Sequence, residues 1–273
     1  MLAYGFSWCA YAPAIIVYNQ TGSLPSALLF LSVIGNFGPL FAALLLTWMT
    51  GGRGALRDLG ARLIRWRVAW PWYVIAFCWE AVHLLTMSGL VGLVTGRLPE
   101  MPDVYPLVAA PLIFAIIFIT AGLAEEVGWR GYALPRLQER WSPLTASLIL
   151  GLVWALWHLP GAFLPDTAHT GRSAGEWLWY IAGTTAFTVI ITWVFNHTSG
   201  SVLLTMLLHT ASNTTQAYLP SDIVINGFNL DTIIYWVFAG VVIITTKMWR
   251  KSTPANEASI LPNPPVERSE AVA

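Results

Sequence analysis

Charge is scarce in this chain. Only 10% of its 273 residues are Asp, Glu, Lys or Arg, where a soluble domain carries about 25%. That shortage excludes an ordinary soluble surface. Together with 56% hydrophobic residues and a mean hydropathy of +0.62, it identifies an integral membrane protein. A net charge of zero gives no pointer to nucleic acid, and none is expected as a partner. Cysteine is nearly absent. Cys9 and Cys78 both fall in apolar runs, which leaves neither a disulfide framework nor metal-ligand spacing. No positive side chain precedes Arg53, so the basic segment that opens a cleavable leader is missing and none is expected. No internal repeat is evident.

What the chain does have is long apolar runs. A membrane span needs roughly 20 mostly apolar residues. Eight stretches qualify, at about 1–18, 24–50, 70–95, 107–130, 143–163, 177–195, 201–219 and 231–247. The predicted fold is therefore all-α, a polytopic transmembrane helix bundle over residues 1–250 with about eight spans. Residues 251–273 are rich in Pro, Ala, Ser and Glu and read as a disordered cytoplasmic tail. Loop charges set the orientation. Arg53, Arg57, Arg62, Arg65 and Arg67 follow the second span, Arg136 and Arg140 the fourth, and Lys247, Arg250 and Lys251 the last. The intervening loops hold Glu100, Asp103, Asp166, Glu176, Asp222 and Asp231 against only Arg97 and Arg172. This pattern predicts a multi-pass cell-membrane protein with both termini in the cytoplasm.

One stretch breaks the apolar rule. Glu125, Glu126 and Arg130 lie directly beyond the run 111–120, and ionisable groups at membrane depth cost about 2.5–3.5 kcal/mol each on insertion scales. Residues four apart share a helix face, so Glu126 and Arg130 are placed to pair. Glu125 points about 100° away and lacks that partner. Two further helices carry polar groups at helical spacing. The fifth span ends with Trp154 and His158 on one face. The seventh carries His209 and Asn213 four apart on an otherwise apolar helix, with Thr210 and Ser212 beside them. Buried amides and imidazoles need partners, which implies a polar cavity or a close neighbouring helix. At 1.5 Å per residue, with the fourth helix running to Leu134, Glu125 comes out about 14 Å, His209 about 12 Å and Asn213 about 18 Å from the cytoplasmic ends of their helices. His158 comes out deeper, at about 22 Å.

Glu-Glu-x-x-x-Arg, then aromatic-x-x-x-His, then His-x-x-x-Asn, in that order on separate apolar helices, resembles the CAAX prenyl endopeptidase and bacteriocin-processing family of intramembrane proteases. The resemblance covers about 107–219. It departs at Trp154, where Phe is more usual, a change expected to alter packing rather than chemistry. The resemblance implies an endopeptidase that cuts a membrane-associated protein or peptide. Glu125 would activate water with His158 as its partner, since a carboxylate shielded from bulk water suits a general base. His209 and Asn213 would hold the oxyanion, and Glu126 with Arg130 would orient the site. No Ser or Cys stands in the three motifs as a nucleophile, which favours activated water. No cofactor is required. Zinc held by the same Glu and His residues is the nearest alternative, although no His-Glu-x-x-His pattern is present. A non-catalytic scaffold or immunity protein and a proton-coupled transporter are the alternatives from other classes.

Other polar groups have simpler expectations. Glu80 and His83, three apart, are expected to hydrogen-bond each other. Asn36 should bridge two helices. His169 is expected at the surface of an outer loop, and His197 in a short cytoplasmic turn. The 15 Trp residues suit interfacial belts and bundle packing, with Trp66, Trp70 and Trp72 flanking the basic loop and Trp129 packing near Glu125.

Overall fold

The computed structural model describes residues 1–102, 105–165 and 167–251. The expected tail, from Ser252 onward, and the loop carboxylates Asp103 and Asp166 lie outside the described residues. The chain folds as an all-α bundle of apolar helices. In chain order these are α1 (Leu2–Thr21), α2 (Ser26–Gly35), α3 (Gly38–Leu63), α4 (Pro71–Thr95), α5 (Leu107–Arg140), α6 (Pro143–Trp157), α7 (Ala174–His197), α8 (Val202–Gln216) and α9 (Leu230–Thr246). A two-residue hairpin pairs Val224–Ile225 with Phe228–Asn229 just before α9.

Local sequence explains the helix ends. Ser142 accepts from the Thr145 amide ahead of Pro143, a residue tolerated in the first helical turn. Ser173 and Glu176 close a capping box on α7, and Asn229 accepts from the Thr232 amide to start α9. Gly22 and Gly96 take the left-handed conformation that ends α1 and α4.

The span count differs from the eight expected. Among the described residues four helical segments are long and apolar enough to cross a membrane: Pro71–Thr95, Leu107–Arg140, Pro143–Phe163 and Ala174–His197. A fifth arises if α2 and α3, bent by 46° at their junction, count as one broken span. The remaining stretches are helical but too short or not apolar enough. At 1.5 Å per residue α8 reaches only about 22 Å, less than a hydrocarbon core of about 30 Å. It begins inside the bundle, with Ser201, Val202 and Leu204 buried.

The core lies where α5, α6, α7 and α8 meet, around Leu134, Leu150, Ile190, Ile191, Leu204 and Leu208. α5 is continuous but unevenly wound. Phe118–Leu123 and Trp129–Ala133 adopt π-helix on either side of the α-helical turn Ala124–Gly128. Such segments recur at functional sites because the wider turn re-aims side chains. Two glycines let neighbours close on this turn. A Cβ on Gly122 would collide with Thr210 Oγ1 of α8, and one on Gly128 would stand 2.5 Å from Pro39 Cβ of α3.

Candidate active site

Glu125, Glu126 and Arg130 are all buried on α5, at 5%, 0% and 0% exposure, so each needs a partner inside the protein. The expected pair forms: Arg130 Nη1 donates to Glu126 Oε1 at 2.7 Å. The same oxygen accepts from His209 Nδ1 at 3.0 Å, which draws α8 onto α5. Arg130 also donates to Thr188 Oγ1 of α7 at 3.4 Å. Glu126 is thus the hub of a buried charged network joining three helices.

Glu125 belongs to a second network. Its Oε2 faces His158 Nε2 at 3.8 Å. His158 donates from Nδ1 to the Trp154 carbonyl at 3.0 Å, which leaves Nε2 as the nitrogen turned toward the carboxylate. The sequence estimate placed these two groups about 8 Å apart in depth, and the length of α5 removes the discrepancy. The helix runs to Arg140, not Leu134. Glu125 lies fifteen positions before Arg140, and His158 fifteen after Pro143. Both are therefore about 22 Å from one short turn.

Glu125 is not without a partner on its own side. Trp154 Nε1 donates to Glu125 Oε2 at 2.5 Å. The expectation that Trp154 affects packing alone is corrected here, since the indole brings a donor that a Phe ring lacks.

Glu125, His158 and Asn213 line one cavity of about 820 Å³. Tyr11, Tyr18, Leu29 and Val33 from α1 and α2 form its far wall, with Asn36 at the α2–α3 junction and Ile117 and Thr120 from α5. Asn36 bridges helices as expected, accepting from the Tyr11 hydroxyl. Helix α1 is clipped beside His158 by Trp157, whose Nε1 donates to Ser7 Oγ at 2.8 Å and whose carbonyl accepts from Trp8 Nε1 at 3.1 Å. His209 stands behind Trp154 and is 3% exposed.

Three expectations for the remaining polar groups change. His169 is not plain surface. It lines the cavity with its ring 5.1 Å from His158 and 4.7 Å from Tyr180. Burial, with Arg172 adding to it, holds its imidazole down at about 4, so it is neutral near pH 7. A loop hydrogen-bonded through Thr167 and Thr170 delivers it there, and no sequence periodicity marks such a loop. Glu80 and His83 approach to 3.6 Å, beyond a hydrogen bond. Glu80 instead accepts from Gln216 Nε2 at 2.8 Å and from the Tyr235 hydroxyl, and His83 Nε2 meets the Asp231 carbonyl at 3.1 Å. His197 ends α7, bonds the Trp193 carbonyl at 2.9 Å and packs on Trp72, away from the cavity. Trp129 is buried against Trp157, as expected of a packing residue.

Residues 107–215 match the family model described as type II CAAX prenyl endopeptidase, Rce1-like. The chain is also 29% identical over 147 residues to the CAAX prenyl protease 2 of Methanococcus maripaludis, an alignment covering 51% of each chain. The chain thus spans about half the length of that curated relative. The matched segment contains all three motifs on which the family resemblance rests.

Proposed function

We propose that this protein is an intramembrane endopeptidase that hydrolyses a peptide bond in a membrane-associated protein or peptide, using water activated between Glu125 and His158. The observation that carries this reading is the 3.8 Å approach of Glu125 Oε2 to His158 Nε2 on the wall of a cavity that Asn213 also lines. A water about 2.8 Å from both atoms sits to one side of the line joining them, where a scissile carbonyl can meet it. Glu125 takes the water proton as the oxygen bonds to the carbonyl carbon. The Asn213 amide donates to the resulting oxyanion, and His209, whose Nδ1 is given to Glu126, shares it through Nε2 only when that nitrogen also carries a proton. Collapse breaks the C–N bond, and the proton held by Glu125 passes to the leaving amine. Glu126 and Arg130 keep His209 in place.

The reading needs no metal. Among the described residues no three His, Cys, Asp or Glu side chains converge as ligands. In orientation, the reading places both termini in the cytoplasm, with the exposed Arg53 and Arg57 on that side.

The test uses purified protein in nanodiscs and an internally quenched peptide ending in a farnesylated Cys-Val-Ile-Met sequence, the substrate type in the relative's name. His158→Ala is expected to lower kcat about 100-fold or more with the thermal midpoint kept. Wild-type turnover should persist in strong chelator. Turnover lost in chelator and restored by zinc would replace activated water with a metal centre. For orientation, Arg57→Cys in a Cys9→Ala, Cys78→Ala background should label with an impermeant maleimide only from the cytoplasmic side. Labelling from the outer side would reverse the topology.

A further inference from the structure

We infer that Trp154 is a positioning residue of this site, holding the Glu125 carboxylate through its indole N–H in the orientation that faces His158. The inference rests on Glu125 as the water-activating group. The oxygen that accepts the indole N–H, Oε2, is the same oxygen that faces His158 Nε2. A Glu carboxylate otherwise turns about a broad, two-fold terminal torsion, so a fixed donor on one oxygen sets which lone pairs face the cavity.

Trp154 is placed for this. It is 3% exposed, and its ring is fixed on three sides. The Arg130 guanidinium lies 4.3 Å over it, His209 meets it edge-on at 5.1 Å, and Phe187 packs at 6.1 Å. Arg130 in turn is bonded to Glu126, so the charged network behind Trp154 supports the group that orients Glu125. The backbone of Trp154 acts on the other partner, because its carbonyl takes the His158 Nδ1 proton. One residue therefore aims both halves of the water-activating pair, the carboxylate through its side chain and the imidazole through its main chain. A Phe at this position keeps the second action and loses the first. The donor is a charge-assisted one in a buried site, the setting in which a hydrogen bond has most influence on geometry.

The test compares wild type, Trp154→Phe, Glu125→Gln, and a protein carrying 3-benzothienylalanine at position 154, which keeps the bicyclic shape without the N–H. All four are assayed in nanodiscs with the farnesylated quenched peptide. Trp154→Phe and the benzothienyl protein should both lose about 10-fold in kcat with KM changed less than about twofold. The benzothienyl protein should also keep its thermal midpoint within about 1 °C of wild type. Wild-type kcat in the benzothienyl protein, with Glu125→Gln inactive, overturns the inference and leaves the proposed function standing. So does a kcat loss that tracks a fallen midpoint, because it assigns Trp154 to packing. Wild-type kcat in Glu125→Gln overturns the proposed function itself. A reading independent of turnover comes from the indole 15N resonance of Trp154, identified by its loss in Trp154→Phe. It should move upfield in Glu125→Ala, and an unmoved resonance would refute the hydrogen bond.

Discussion

Glu125→Gln is expected to reduce kcat by about 1,000-fold or more while leaving the protein at least as stable as wild type. The two halves of that expectation have one cause. Glu125 is 5% exposed and receives one indole donor, with an imidazole at 3.8 Å. A carboxylate held this way is under-solvated, which suits proton abstraction and costs folding energy. The amide of Gln keeps the size and can still accept from Trp154, but it cannot take a proton from water near neutral pH. KM should move less than about threefold, because no ground-state contact of comparable size is lost. The measurement is kcat and KM on the quenched farnesylated peptide beside thermal unfolding in the same nanodiscs. Wild-type turnover by pure Glu125→Gln would end the case for this residue as the base.

Arg130→Met should behave in the opposite way, as a stability lesion first. Arg130 and Glu126 are both without solvent contact, and their ion pair spans 2.7 Å. Removing the guanidinium leaves Glu126 with His209 Nδ1 as its remaining donor and strips the cation from the face of Trp154. Breaking one side of a buried pair costs about 3–5 kcal/mol, because the surviving charge keeps its desolvation penalty. The double change Glu126→Gln with Arg130→Met should recover much of that loss, since both charges are then gone. Unfolding of the three proteins decides the matter. Equal stability of Arg130→Met and wild type would mean that the pair has no structural role.

Much of this arrangement was legible in the sequence. The Glu126–Arg130 pair follows from helical spacing alone, and it survives the π-wound turn that holds Arg130. The three motifs, read together, bring Glu125, His158, His209 and Asn213 to one region because each interrupts an apolar helix where polarity is costly. Span number was less legible. The stretch at 201–219 is apolar in composition, yet α8 starts inside the bundle and is short. Partners that depend on side-chain reach across helices were not legible at all. Glu80 bonds Gln216 and Tyr235 in preference to His83, three residues away, because α8 and α9 offer better-placed donors. His169 reaches the cavity through a threonine-bonded loop, and Trp154 turned out to be a donor where an aromatic spacer was expected.

The equal spacing of Glu125 and His158 from the turn between α5 and α6 has a mechanical consequence. The two groups hang from the arms of one antiparallel hairpin, level with each other. When a thicker or thinner bilayer tilts that hairpin, both move together and their separation is kept. Asn213 rides on a different helix, tied to α5 through the His209–Glu126 bond rather than through a short loop. On the proposed mechanism, water activation would thereby be insulated from the host membrane, and lipid composition would act on the alignment of the substrate carbonyl with Asn213.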